Sequence, residues 1–190
     1  MTIIAETERL ILRTEQPGDQ QIWLAHMNTP EVTSALGGPR TRKDIAENFT
    51  QIAQDWETRG MSLVMLERKS DGMLIGDSGI AFVGSSDAPQ SLQGQPQIGW
   101  LLREDCWGQG YAQEAARAVL VLAFGPWDLP IVYAQTSLSN PRSWVLMEKL
   151  GMQRRTDLDY MDDRYPPADN PTVVYDLHRT DWTTARKDHA

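Results

Sequence analysis

The sequence predicts an α+β fold in which a mixed, mostly antiparallel sheet of six to seven strands is flanked by about four helices. Hydrophobic periods of two and of about 3.6 residues alternate along the chain in the order βααβββαβαββ. The strands expected over 62–68 and 74–83 are joined by the turn Ser70-Asp71-Gly72, and so short a link joins antiparallel neighbours only. Length supplies the third constraint: 190 residues, 41% of them hydrophobic, fill one well-buried domain and are few for two. A single domain is therefore expected over residues 1–182, followed by a polar tail over 183–190.

Residues 8–14 alternate as a strand, and the segment from Pro17-Gly18 to Asn28 reads as a helix with Ile22, Trp23 and Met27 inward. Thr41, with Asp44 three residues on, is an N-cap candidate for a helix that reaches Arg59, carries Ile45, Phe49, Ile52 and Trp56 on one face, and stops at Gly60. Gly84 to Pro96, rich in Ser, Gln, Gly and Pro, reads as an exposed loop. The fourth strand covers 97–102, and its interior Gly99 suggests a bulge or a close backbone approach. Ala112, Ala115, Ala116, Val119, Leu120 and Ala123 then form one apolar stripe on a helix to Phe124, with Gln113, Glu114 and Arg117 facing away. A strand over 131–136, a helix from Pro141 to Leu150, and strands near 154–160 and 172–177 complete the order.

Composition narrows the function. No apolar run approaches the ~20 residues that span a bilayer, and the first residues lack a basic-then-apolar leader pattern, so no membrane partner is expected. Cys106 is the single cysteine, which suits a reducing cytoplasm. A formal net charge of −8 argues against nucleic acid, which demands surplus Lys and Arg, and is compatible with a cationic substrate. His26, His178 and His189 are scattered without metal-ligand spacing, so no metal is expected.

The most informative stretch is Cys106-Trp107-Gly108-Gln109-Gly110-Tyr111-Ala112-Gln113-Glu114-Ala115-Ala116. A glycine-rich turn entering a helix leaves backbone N–H groups without intrahelical partners at the positive end of the helix dipole, and glycines let a ligand approach that backbone. The arrangement suits a phosphate or pyrophosphate, although the same residues also fit an ordinary softened turn before a core helix. It is not a Walker A loop, because Tyr111 and Ala112 stand where Lys and Ser or Thr are needed. It is not a dinucleotide fingerprint either, since Gln113 stands where the third glycine would fall due and no acid ends the next strand.

Trp107 to Ala115 instead resembles, position by position, the coenzyme A loop of the GNAT (GCN5-related) N-acetyltransferases, in the form found in the subgroup resembling the ribosomal-protein N-terminal (alanine/serine) acetyltransferases. Asn140-Pro141-Arg142-Ser143 and Glu148-Lys149-Leu150-Gly151-Met152 are similar to that subgroup's second signature, and Thr7 to Arg13 to its first strand. The likeness runs from about residue 6 to residue 182. It implies a three-layer α/β/α arrangement with a bulged fourth strand, and acetyl-CoA as cosubstrate. It also implies direct transfer of an acetyl group to a primary amine, a small cationic amine or a peptide N-terminus, by a monomer or homodimer. Gly108, Gln109, Gly110, Tyr111 and Ala112 would hold the pyrophosphate, backbone groups of Leu101 and Leu102 would pair with the pantetheine arm, and Asn140 would lie beside it.

Acetyl transfer to an amine needs a base, donors for the tetrahedral oxyanion and an acid for the departing thiolate. The family's tyrosine acid falls on Met147, which cannot donate, so Ser143 is the remaining hydroxyl on that helix; it equally fits a capping-turn serine bonded to Asn140. Tyr111, Tyr133 and Tyr160 are weaker substitutes. The subgroup's glutamate position is Gln97, able to orient a water but not to act as a base. Asp77 is a candidate base, or a residue stabilising the turn-like Gly76-Asp77-Ser78-Gly79. These departures leave an alternative open, an acyl-CoA-binding sensor or binding module without turnover.

Asp157, Asp159, Asp162 and Asp163, with Tyr160 and Tyr165, form an acidic stretch that reads as a solvated loop or as a surface attracting a protonated amine. The tryptophans are expected mostly in the core, and Cys106 as a small buried hydrophobe.

Overall fold

A computed structural model describes residues 1–182. The tail expected beyond them lies outside the described residues. Eight strands, β1 (Ile3–Glu6), β2 (Leu10–Arg13), β3 (Leu63–Arg68), β4 (Met73–Phe82), β5 (Pro96–Leu102), β6 (Ile131–Ser137), β7 (Gln153–Arg154) and β8 (Thr172–His178), take the sheet order β1-β2-β3-β4-β5-β6-β8-β7. The helices are α1 (Asp19–His26), α2 (Arg42–Arg59), α3 (Tyr111–Phe124) and α4 (Pro141–Lys149), with a further helical segment from residue 179. The β1–β2, β2–β3, β3–β4, β6–β8 and β7–β8 pairs are antiparallel, and β5–β6 is parallel with Gln97 opposite Tyr133. The mixed α+β sheet flanked by helices is the expected fold class, with one strand more than the expected upper count.

The chain forms two compact units. The first comprises Met1–Ser34, Gly38–Ile80 and Gly99–Leu120. In it, Trp23 of α1 and Met27 just after it, Ile45 and Phe49 of α2, and Met65 and Leu74 of the sheet close one apolar cluster, with the Trp23 and Phe49 rings edge to face. Helix α2 starts on the expected reciprocal cap, Thr41 Oγ1 accepting from Asp44 N and Asp44 Oδ2 from Thr41 N, and ends at Gly60 in the left-handed region. Ile22, expected inward, is instead exposed.

The second unit comprises Ala35–Gly37, Ala81–Ile98 and the chain from Val121. Its sheet centres on β6 and β8, which pair along their whole length. The segment read as an exposed loop is anchored here: Leu92 is fully buried and packs with Ala88, Val83 and Val174.

Four further expectations change. The Gly76-Asp77-Ser78-Gly79 run is no turn but the middle of β4, with Asp77 opposite Met65. Gly99 does not mark a close approach, since a Cβ there meets open space; Gly76 does, where a Cβ would lie 2.1 Å from Leu101 O. The strand expected over 154–160 shrinks to Gln153–Arg154, followed by a 3₁₀ turn over Thr156–Leu158 and a lone bridge from Tyr160 to Thr172. Of the seven tryptophans, only Trp23 and Trp182 are buried; the others are partly exposed.

Candidate active site

In the first unit, β5 leads through a short 3₁₀ turn at Glu104–Cys106 into the glycine loop. Gly108 and Gly110 have φ of 71° and 83°, the left-handed region in which a side chain costs roughly 1–2 kcal/mol, so both glycines answer a backbone demand. Glu114 N–H is bonded to Gly110 O, so the N–H groups of Tyr111, Ala112 and Gln113 precede the first intrahelical bond of α3 and have no acceptor within it. The loop is braced from outside itself. Trp107 Nε1 donates to Leu102 O at 2.9 Å and Gln109 Nε2 to Asp105 O at 2.8 Å. The result is a cradle of backbone donors at the N-terminus of a 14-residue helix, and it fits a pyrophosphate.

Glu114 does not face solvent as its helical position suggests. It accepts from Thr7 Oγ1 at 2.6 Å, Arg9 N at 2.9 Å and Arg9 Nε at 2.6 Å. Burial opposes its ionisation, but these donors outweigh burial and hold the carboxyl below its ordinary range. Arg9 also donates from Nη1 to Gln109 O at 2.9 Å and lies over the Tyr111 ring at 4.4 Å. Sequence reading gave Arg9 no role, and no spacing rule pairs residues 105 apart in the chain.

Asp77 lies in the same unit, buried, accepting from the Trp23 indole N–H at 2.6 Å. Burial pushes its carboxyl up to about 6, against the indole bond and the positive charge of Arg40. It is therefore ionised at neutral pH yet basic enough to take a proton. Cys106 is buried as expected. Burial, with Asp105 adding, raises its thiol above the ordinary value, the reverse of what a nucleophile requires.

The second unit holds the other expected residues. Asn140 occupies the N-cap position of α4 with Pro141 after it, but its side chain does not cap the helix. Its Nδ2 donates instead to Thr136 Oγ1 and to Ser143 Oγ, both at 3.0 Å. The Ser143 oxygen accepts in that bond, so its own proton is left to donate. Met147, at the family's tyrosine position, is buried.

Gln97 is part of a relay within this unit. Tyr160 OH donates to Gln135 Oε1 at 2.7 Å, and Gln135 Nε2 donates to Gln97 Oε1 at 2.8 Å. Burial, aided by the charge of Asp162, pushes the Tyr160 hydroxyl up to about 12 and so keeps it a donor. Tyr133 is raised by burial too, and Tyr111 lies buried beneath Arg9.

The acidic stretch is exposed at Asp157 and Asp163, but three of its four carboxylates are met by arginines. Asp157 pairs with Arg155, Asp159 with Arg154, and Asp162 with Arg164, whose Nε and Nη2 reach its two oxygens at 2.9 and 2.7 Å. Asp162 is wholly buried, and the Arg164 guanidinium holds its carboxyl below the usual range despite burial. Among the described residues no group of acids, histidines or cysteines could hold a metal. No helix of the described chain is long and apolar enough to cross a membrane.

Comparison with known proteins gives the class. Residues 9–153 match the family model described as "Acetyltransferase (GNAT) domain". The chain belongs to the GNAT family, and it is an acetyl-CoA-dependent N-acetyltransferase. Among its relatives is the Bacillus subtilis protein YkkB, described as uncharacterized, 30% identical over 149 residues that cover 77% of this chain and 83% of that protein. Among solved structures, an acetyltransferase from Agrobacterium tumefaciens superposes with a TM-score of 0.73 at 29% identity, covering 92% of this chain and 93% of the other. The ribosomal L7/L12 alpha-N-protein acetyltransferase RimL, solved with coenzyme A, shares the fold with a TM-score of 0.73 at 12% identity, covering 93% and 97%.

Proposed function

We propose that this chain moves the acetyl group of acetyl-CoA directly to a primary amine, a small cationic amine or a peptide N-terminus. The observation that carries this reading is the pair of left-handed glycines, Gly108 and Gly110, feeding the start of α3 inside a GNAT domain. The backbone of Gly108, Gln109, Gly110, Tyr111 and Ala112 holds the pyrophosphate, while Leu101 and Leu102 pair with the pantetheine arm and Asn140 contacts it. Leu102 O already accepts from the Trp107 indole, so its share of that pairing falls to its second lone pair or to its N–H.

Bound acetyl-CoA supplies an activated acetyl thioester. Asp77 serves as the base that receives the ammonium proton, directly or through water. Ser143, whose oxygen accepts from Asn140, keeps its proton for the departing thiolate. Gln97 orients water or acceptor rather than taking a proton. The protein works as a single domain in the cytoplasm, as a monomer or homodimer.

A coupled screen tests this: release of coenzyme A thiol from acetyl-CoA with polyamines, aminoglycosides, free amino acids and ribosomal-protein N-terminal peptides. Steady turnover with at least one amine class supports the reading. Turnover with none of these amines, in protein that binds acetyl-CoA in calorimetry, overturns the amine assignment.

A further inference from the structure

We propose that Arg9 is a positioning residue that holds the Gln109–Gly110 peptide plane, so that Gly110 N–H is presented to the pyrophosphate of acetyl-CoA. The inference rests on the cofactor reading above and adds to it a residue outside the loop. In a trans peptide the C=O and the following N–H lie in one plane and point in opposite directions. Arg9 Nη1 donates to Gln109 O at 2.9 Å, so that oxygen is turned toward the guanidinium and Gly110 N–H is turned away from it.

The plane needs an external hold. Gly108 and Gly110 flank Gln109, both at positive φ, and glycine passes between backbone regions at little steric cost. A flip about this peptide would turn a carbonyl oxygen where an N–H donor stood, and a carbonyl repels a phosphate.

Arg9 is itself fixed at every group. Its N–H donates to Glu114 Oε1, its carbonyl accepts from Lys69 N at 2.9 Å, its Nε donates to Glu114 Oε2, and Nη2 pairs with the same oxygen at 2.6 Å. Its flat face lies over Tyr111. Thr7 Oγ1 completes the bracket on Glu114, and Thr7 O accepts from Lys69 Nζ. With its charge met by Glu114 and an N–H on each of its three nitrogens already bonded, the Arg9 guanidinium acts on the phosphate chiefly through the peptide it holds.

The test compares two donors, acetyl-CoA and S-acetyl-pantetheine, which lacks the pyrophosphate. The measured quantity is the ratio of kcat/KM for the two, in the native protein and in Arg9→Met, which keeps the stem and loses the donors. Loss of one oriented hydrogen bond predicts a fall of about 10-fold in that preference, carried by KM for acetyl-CoA. Glu114→Gln, which loosens Arg9 without removing it, should move the ratio in the same direction by less, and serves if Arg9→Met folds poorly. Equal losses with both donors would mean a general structural role and would overturn the inference, as would an unchanged ratio. A native protein that uses both donors equally well overturns the pyrophosphate reading of the loop itself, an outcome distinct from the other two.

Discussion

The glycine loop and the acidic stretch between the last strands make opposite cases. Both stand out in the sequence, one by its glycines and one by its carboxylates. The loop has the backbone its glycines announce, because a left-handed conformation admits few residues besides glycine, and that local demand is written at Gly108 and Gly110. The acids are not, because a carboxylate's role depends on which arginine the fold brings to it. Asp157, Asp159 and Asp162 each meet one, and Asp162 is buried in doing so. Backbone requirements are thus read from residue type, whereas the charge of a segment is read only after its pairing is known.

The largest effect is expected on the chemistry. Ser143→Ala should lower turnover by ~10²- to 10⁴-fold with little change in acetyl-CoA affinity, the range for general acid catalysis. Unchanged turnover in single-turnover assays would return Ser143 to a purely structural bond with Asn140. Next comes the loop. Gly110→Glu places a side chain at φ 83° and a negative charge where an anion is to bind, and should weaken acetyl-CoA binding by ~10²-fold or more in calorimetry. Binding within a few-fold of native would break the loop's side of the comparison.

Asp77 gives a pH signature. Its folded-state carboxyl, pushed up to about 6, lies above the unfolded value of 3.8. A raised acid binds its proton more tightly when folded, so its contribution is present below the unfolded value and is lost as pH rises through about 6. Two units correspond to about 3 kcal/mol at full ionisation. Asp77→Asn, which stays neutral, should therefore gain stability relative to the native protein between pH 4 and pH 8, followed by denaturant midpoints at each pH. If Asp77 is also the base, native kcat/KM should rise through pH 6 and the variant should lose that limb. A parallel stability profile for the two proteins would show that the carboxyl is not strained by burial.

The smallest effect sharpens the acidic side. With their carboxylates met by arginines, Asp159 and Asp162 should steer a cationic acceptor weakly, and kcat/KM should change by less than about threefold between low and high salt. A steep salt dependence that Asp159→Asn with Asp162→Asn flattens would show that the paired acids still project a field.

Much of the fold was legible for the same reason as the loop. The Thr41–Asp44 cap, the Gly60 stop and the apolar stripe of α3 are local patterns, and each falls within a residue or two of its expected place. What was missed depends on distant partners. β1 is a four-residue strand that exists through its pairing with β2. The strand expected over 154–160 ends early, where Arg154 and Arg155 turn to Asp159 and Asp157. Asp77 read as a turn residue because two glycines surround it. Gly76 is there instead to let β5 pass and Gly79 to clear Ser62 O, at 2.5 Å from a would-be Cβ. The candidate site divides likewise: its glycines were plain, while the Arg9–Glu114 bracket and the Tyr160–Gln135–Gln97 relay join residues far apart in sequence.

The inward placement of Cys106 has a practical side. It is the protein's one thiol, it is almost wholly out of reach of solvent, and its burial keeps it protonated at neutral pH. A chromogenic disulfide reagent added to a running reaction will therefore colour with the coenzyme released and not with the enzyme. Continuous thiol detection can be used on the native sequence without first removing its cysteine.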